Sequence, residues 1–173
     1  MSLSPKSMHH IYAGYFISED AVLKWLLAPR SGDKLPRWRH SRYLKESDSE
    51  VLQEIWGKNP KDDDPNQRRM GQTAIFRSCI WKFECNLTRM REVVPATIIY
   101  NDKEWKFAFI SLYEQKEWAY DVLVTRWKED HKKVVSNLEQ VVEDLELAPF
   151  LENPENPLQF MQEGADGIET IIG

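Results

Sequence analysis

The sequence predicts an α+β protein: a small, mostly antiparallel sheet with helices packed on one face, followed by an acidic C-terminal tail. Three observations predict this class. Several short stretches alternate apolar with polar residues, as strands with one buried face do. Other stretches repeat apolar residues every three or four positions, as amphipathic helices do. The chain of 173 residues, 42% hydrophobic and 29% charged, has the size and composition of a single globular domain.

The first predicted elements are an edge strand and a helix. The aromatic stretch 9–16 has the composition of a strand. Ser18 follows it and is suited to cap a helix, because two acidic residues come next, where the positive end of the helix dipole would lie. Pro29 should stop this helix.

A second helix is predicted from the capping box at 47–50. In this pattern Ser47 and Glu50 would each satisfy a free backbone donor of the first turn. Gly57 should end the helix. The next segment, 58–72, is rich in Asp, Asn, Pro and Gln and is predicted to be a long surface loop.

The middle of the chain favours strands. In 73–85 every second position from Cys79 to Cys85 is apolar, which predicts a strand, although a helix is an alternative. Residues 96–100 and 104–110 alternate strongly and are separated by Asn101-Asp102, which suits a tight hairpin. A further strand is predicted at 118–127.

The C-terminal third is predicted to hold one helix and a tail. Residues 130–147 repeat valine and leucine along a single stripe, which predicts a helix lying against the sheet. Residues 148–173 contain Pro and Gly and are predicted to be a tail, not a second domain. With a flexible N-terminus at 1–7, the domain proper is predicted to be 8–147.

Charge is unevenly distributed along the chain. The net charge is −5, and the region 148–173 carries five acidic residues and no Lys or Arg. By contrast, 30–45 carries six basic residues and one acidic residue. We call 30–45 the basic segment. One hypothesis is that the acidic tail docks on it, within one chain or between copies, with help from apolar residues of the tail.

The basic segment also supplies most of the candidate binding residues. Guanidinium groups interleaved with aromatic rings can pair with phosphates and stack on bases, or can contact another protein. The alternative is a structural connector whose rings pack on the body. The candidate binding residues are Arg37, Trp38, Arg39, Arg42, Tyr43, Trp118 and Trp127.

Tryptophan is abundant, with seven residues in the chain. Trp25 and Trp56 lie on the apolar stripes of predicted helices, and Trp81 and Trp105 take the buried parity of predicted strands. Trp38, Trp118 and Trp127 are flanked by charged residues, and we therefore expect them to be exposed and available for binding.

No arrangement in the sequence specifies catalysis or a cofactor. The four histidines lack metal-ligand spacing, and Asp62-Asp63-Asp64 lacks the pattern of a calcium loop. Cys79 and Cys85 have the setting of buried, reduced thiols. The expectations are therefore no metal site, no cofactor and no identified catalytic residue, and the absence of a catalytic arrangement favours a protein that is not an enzyme.

The function predicted from these features is that of a non-catalytic binding or protein-interaction domain. It would use the basic segment, the exposed tryptophans and the acidic tail, with a protein partner, either a second copy or another chain. One alternative is a nucleic-acid or phosphate-ligand binding protein, which the isoelectric point near 5.5 disfavours. Another is an enzyme of unknown class. The absence of a secretion signal or of a long apolar run predicts a cytoplasmic or nuclear protein without membrane contact.

Overall fold

The structure is a computed structural model that describes part of the chain. It describes the backbone of residues 9–57, 65–83, 94–100, 104–115, 132–153, 155, 159–164 and 167–172. Within these ranges it describes the side chains of 14–57, 67–83, 136, 138–153 and 155. Predictions for 1–7, 58–64 and 118–127 lie outside the described residues and stay predictions.

Five strands pair as a closed barrel in the order β1-β3-β2-β5-β4. All pairings are antiparallel except the single contact between β2 and β5, where Tyr100 lies opposite Ile168 in parallel orientation. The long β1–β3 ladder runs from His9 opposite Gln115 to Ile17 opposite Phe107. The strands are β1 His9–Ile17, β2 Val94–Tyr100, β3 Glu104–Gln115, β4 Gln159–Gly164 and β5 Gly167–Ile172.

Two short helices follow β1. Helix α1 (Glu19–Leu27) is capped by Ser18, whose hydroxyl accepts a hydrogen bond from the Ala21 N–H at 3.1 Å. Helix α2 (Ser49–Trp56) ends at Gly57. A 3₁₀ turn, Arg37–His40, lies between them.

Two longer helices complete the described part of the chain. Helix α3 spans Pro65–Phe83 and helix α4 spans Lys132–Asp144, and a second 3₁₀ turn, Ala148–Phe150, follows α4. Glu146 follows α4 with φ of 54°, and the Leu147 N–H then bonds the Val142 carbonyl at 2.9 Å. The left-handed residue thus ends the helix at a position where glycine is usual.

The core joins the helices to the end of β1. Trp25 and Leu26 of α1, Phe76 of α3 and Leu138 of α4 are fully or almost fully buried in one cluster. The Trp25 indole N–H donates to the Leu145 carbonyl at 2.9 Å, and the ring meets Phe76 edge-on with centroids 5.6 Å apart. Burial of Trp25 and Trp56 confirms the prediction that these two rings are packing residues.

The predicted fold class is wrong. Of the residues whose side chains are described, 62% lie in helices. The only strand residues among them are those at the end of β1. The strands themselves do not form an open sheet with one face covered, because their backbone pairing closes into a barrel. Strand β1 is not an edge strand either, since it pairs with β3 on one side and β4 on the other.

The expected acidic tail is also corrected at the level of the backbone. Gln159–Gly164 and Gly167–Ile172 are strands β4 and β5, and they pair with β1 and β2. Gly164 ends β4 and Gly167 begins β5, so these glycines belong to a pair of antiparallel strands and do not mark an unstructured end. The division of the chain into terminus, domain and tail otherwise stays a prediction.

The segment 73–85 was predicted as a strand, and its described part is helical. Ile75, Phe76, Cys79, Ile80 and Phe83 are all buried, and they recur at the spacing of one helix face. The alternation that suggested a strand arises because Trp81 happens to fall two residues from Cys79 and from Phe83. Helix α3 also begins at Pro65, inside the predicted loop 58–72.

Of three further local predictions, the capping box is wrong, and the hairpin and the C-terminal helix are confirmed. The capping box at 47–50 is not formed, because α2 begins at Ser49 and its N-cap is Asp48. The Asp48 carboxylate instead accepts a hydrogen bond from the Lys45 N–H. The hairpin of β2 and β3 and the helix α4 agree with the sequence prediction.

No helix among the described residues is long and apolar enough to cross a membrane.

Candidate binding groove

Backbone groups of the basic segment are hydrogen-bonded to the end of α1 and to side chains of α3. The Arg37 N–H donates to the Ala28 carbonyl at 3.1 Å, and the thiol of Cys79 in α3 donates to the Arg37 carbonyl at 3.4 Å. The Arg42 N–H donates to the Ser78 hydroxyl at 3.0 Å. The chain between these anchors therefore runs along α3 at a fixed position.

A groove of about 1010 Å³ lies between this stretch and α3. Its first wall is formed by the end of the 3₁₀ turn and the residues after it, and its second wall is the solvent-facing side of α3. We call it the basic-aromatic groove. It is lined by His40, Arg42, Tyr43, Arg69, Met70, Thr73, Ala74, Arg77, Ser78, Trp81 and Lys82.

Large apolar side chains are exposed in the basic-aromatic groove. Met70 is 72% exposed, Trp81 is 62% exposed and Tyr43 is 53% exposed. Helix α3 thus carries apolar residues on two opposite sides, one in the core and one at the groove. The core does not use the second side, which is exposed at the groove.

The exposed apolar residues of α3 form a line along the helix. Met70, Ala74, Arg77 and Trp81 are separated by four, three and four positions, so they follow one another on one face. We call these four residues the exposed stripe. Arg77 is exposed and adds a positive charge to a line whose other three residues are apolar.

The groove lining is cationic. Among the residues that the structure describes, it contains three arginines, one lysine and His40, and no Asp or Glu. The carboxylate of Asp33 lies beside the lining, 3.0 Å from His40 Nε2. A hydrogen bond from the Leu35 N–H, together with His40, lowers the pKa of Asp33.

Two lining residues form a stacked pair. The guanidinium of Arg42 lies over the Tyr43 ring at 4.9 Å and donates to its hydroxyl at 2.9 Å. This arrangement aligns a planar cation with an aromatic ring, and both residues are exposed. His40 is fixed differently, since its ring meets Phe83 edge-on with centroids 4.7 Å apart.

The structure describes five of the seven candidate residues of the sequence analysis, and two of these five line the groove. Arg42 and Tyr43 line the groove. Arg39 is exposed but does not line it, and its guanidinium lies over the Trp38 ring at 4.8 Å. Trp118 and Trp127 lie outside the described residues.

Arg37 and Trp38 are buried, and the expectation that Trp38 is exposed is wrong. Only 3% of the Arg37 side chain is exposed, and its guanidinium donates to the Glu146 carboxylate at 2.6 Å and to the carbonyls of Trp25 and Ala28. Burial lowers the pKa of Arg37, and Glu146 opposes this effect. These contacts make Arg37 a structural residue that joins α1 to the end of α4.

The residues that sequence reasoning missed lie on α3. The predicted strand 73–85 places Trp81 in the core. In the structure, Trp81 is exposed on helix α3. A helical reading of the same segment places Met70, Ala74, Arg77 and Trp81 on one face. The helical spacing of these residues is therefore present in the sequence, but the apolar residues at every second position favour a strand in the same segment.

Cys79 has the environment of an inert thiol. It is fully buried, and burial raises its pKa to about 12. A thiol with such a pKa carries almost no thiolate at neutral pH, which is the reactive form. Among the described residues, no group of three or more His, Cys, Asp or Glu side chains is placed to hold a metal ion.

Comparison with known proteins adds no family assignment. No protein-family model matches the chain, and no curated protein or solved structure is significantly similar to it.

Proposed function

We propose that this protein is a non-catalytic binding domain that recognises another protein through the basic-aromatic groove. The observation that carries the proposal is the grouping of three large exposed side chains, those of Tyr43, Met70 and Trp81, around one groove. Scattered exposed apolar residues are ordinary, but a group around one concave surface is typical of an interface.

The residue types in the groove support a protein partner. Trp, Tyr, Met and Arg are enriched at the centres of protein interfaces, and Trp, Tyr and Arg provide most energetic hot spots. The lining contains all four types. The walls are also fixed by the core contacts of α3, so little ordering is required when a partner binds.

A second candidate function is the binding of nucleic acid or of a phosphate-containing ligand. The observation that favours it is the stacked pair of Arg42 and Tyr43, because bases stack on such rings and phosphates pair with guanidinium groups. Nucleic acid would bind with an affinity that falls steeply as salt increases.

Photo-crosslinking at Met70 tests the proposed function. Met70 is replaced by a photoreactive phenylalanine analogue, and the protein is irradiated in cells of its source. The matched control carries the same analogue at Val51, which is 44% exposed on α2 and does not line the groove. We expect discrete protein adducts at position 70 that are absent at position 51.

A second substitution makes the crosslinking result specific to the groove. Trp81→Ala in the same protein should abolish the adducts at position 70, because it removes the largest exposed ring of the groove. Adducts that disappear on nuclease treatment would identify nucleic acid as the partner. Absence of any adduct that depends on Trp81 would rule out the groove as a binding surface.

A further inference from the structure

We infer that the basic-aromatic groove binds an acidic, amphipathic α-helix of the partner protein, laid along α3. The inference rests on the proposed function and adds the charge and the shape of the occupant. Three properties of the groove support it: the length of the exposed stripe, the sign of the lining charge and the absence of a strand edge.

The exposed stripe has the dimensions of a helix-docking surface. Met70 and Trp81 lie at its two ends, about 16 Å apart at a rise of 1.5 Å per residue. Ala74 lies between them with Thr73 beside it, so this part of the surface has small side chains, and Arg77 follows before Trp81. A partner helix can approach closely at this point while its larger residues contact the two ends.

The lining charge selects the sign of the partner. Arg42 and Lys82 are both exposed and both line the groove, and no carboxylate is among its described lining residues. An acidic residue on the edge of a docked helix would meet a cation, whereas a basic residue would be repelled. Because the whole chain has a net charge of −5, this cationic lining is a local feature and not a general property of the surface.

The groove favours a helix over an extended peptide. An extended segment usually binds by adding a strand to an open sheet edge, where backbone donors and acceptors are available. The lining residues belong to α3 and to the stretch that begins with the 3₁₀ turn, and none belongs to a described strand. The specificity of the groove therefore depends on side chains, as in helix-in-groove recognition.

Single-stranded nucleic acid fits these properties less well. It would bring one negative charge per nucleotide to a protein that is already acidic overall. Its phosphates and sugars would also leave Met70 and Ala74 without an apolar contact. An acidic amphipathic helix fits both the cationic lining and the apolar residues of the groove. Its charges lie at its edges, and its apolar residues lie between them.

Three designed peptides of about 16 residues test the inference directly. The first forms a helix with leucines on one face and glutamates beside them. The second replaces each glutamate with lysine, and the third replaces each leucine with serine. Anisotropy of the labelled peptides is measured with the full-length protein, and we expect the first to bind at least about tenfold tighter than either of the others.

Variants of the protein locate the binding. Trp81→Ala should weaken binding of the first peptide by about tenfold or more, and Met70→Ser should also weaken it. Arg42→Gln and Lys82→Gln should each weaken it by about threefold and reduce its salt dependence. Val51→Ala and Arg39→Gln are the matched controls, because both residues are exposed and neither lines the groove.

Each alternative outcome overturns the inference in a recognisable way. Equal binding of the lysine peptide would show that the charge of the groove does not select the partner. Displacement of the first peptide by an oligothymidine of equal charge would indicate nucleic acid, and self-association abolished by Trp81→Ala would indicate a second copy. If no peptide binds but crosslinking at Met70 still yields protein adducts, the inference fails and the proposed function stands.

Discussion

At the scale of single residues, Glu146 connects the end of α4 to Ser31 and Arg37 of the basic segment. Its carboxylate accepts from Arg37 at 2.6 Å and from the Ser31 N–H at about 3.0 Å. Hydrogen bonds from Ser31 are the main cause that lowers its pKa, and the charges of Arg37 and Arg30 add to them. The ionised form of Glu146 therefore stabilises the folded state.

Replacing Glu146 with glutamine should destabilise the protein in a pH-dependent way. We expect Glu146→Gln to lower the free energy of unfolding by about 1 to 2 kcal/mol at neutral pH, because the buried guanidinium of Arg37 loses its counter-ion. Denaturant unfolding at several pH values measures the effect. Since folding lowers the pKa of Glu146, the difference from wild type is full above the ordinary glutamate pKa of about 4.3 and disappears as the pH falls through the folded pKa.

The control for this prediction is a glutamate on the exposed side of α4. Glu143 accepts a hydrogen bond from the Gln140 amide at 3.3 Å, and its side chain is exposed. Glu143→Gln should change stability by less than about 0.5 kcal/mol at every pH. An equal loss in both variants would contradict a specific role of the Arg37–Glu146 pair.

At the scale of elements, the residue at which a helix begins depends on which side chain caps its first turn. The sequence patterns at Ser18 and at Ser47 both indicate an N-cap, and the structure uses only the first. Ser18 lies directly before α1, whereas the turn at 46–48 places the start of α2 two residues after Ser47. A capping pattern is therefore decided by the path of the preceding chain as well as by its residues.

This difference predicts unequal effects of two similar substitutions. Ser18→Ala should lower the free energy of unfolding by about 1 kcal/mol, because the Ala21 N–H loses its acceptor. Ser47→Ala should lower it by less than about 0.5 kcal/mol. Thermal or urea unfolding of both variants checks the prediction, and a larger loss for Ser47→Ala would place the start of α2 at the predicted capping box.

Helix α3 shows why the sequence pattern predicted a loop and a strand where the structure has one helix. Its buried residues and its exposed stripe are both apolar, so the helical period is weak when the segment is read as one sequence. The strand reading followed from this weakness. Only the packing of Phe76, Cys79 and Ile80 against the core distinguishes the two apolar faces.

At the scale of the whole molecule, the C-terminal strands close the barrel. Strand β4 pairs with β1, and β5 pairs with β4 and meets β2. The connection that leads to them is also anchored, since the Glu152 N–H donates to the Phe16 carbonyl at 2.9 Å. Removal of β4 and β5 would leave β1 and β2 with unpaired edges.

Truncation therefore distinguishes a barrel strand from a tail. A chain that ends at Pro157 should lose cooperative thermal unfolding or melt well below the full-length protein, because two of the five strands are missing. Circular dichroism and calorimetry measure this loss. Deletion of 1–7, which the sequence predicts to be flexible, serves as the control. Unchanged unfolding of the C-terminally truncated chain would show that β4 and β5 are dispensable for the fold.

The sequence alone determined the local features of this protein. It determined the helix capped by Ser18, the helix α4, the hairpin of β2 and β3 and the burial of Trp25 and Trp56, because each depends on residues close together in the chain. It also identified Arg42 and Tyr43 as candidates for binding.

Tertiary structure decided the remaining features, because they depend on contacts between distant segments. The barrel closes only when residues near 160 and 170 meet residues near 12 and 100. Trp38 is exposed or buried according to what packs on it, and local charge does not report this. The basic-aromatic groove exists because the stretch around Arg42 is bonded to Ser78 of α3, a partner 36 residues away.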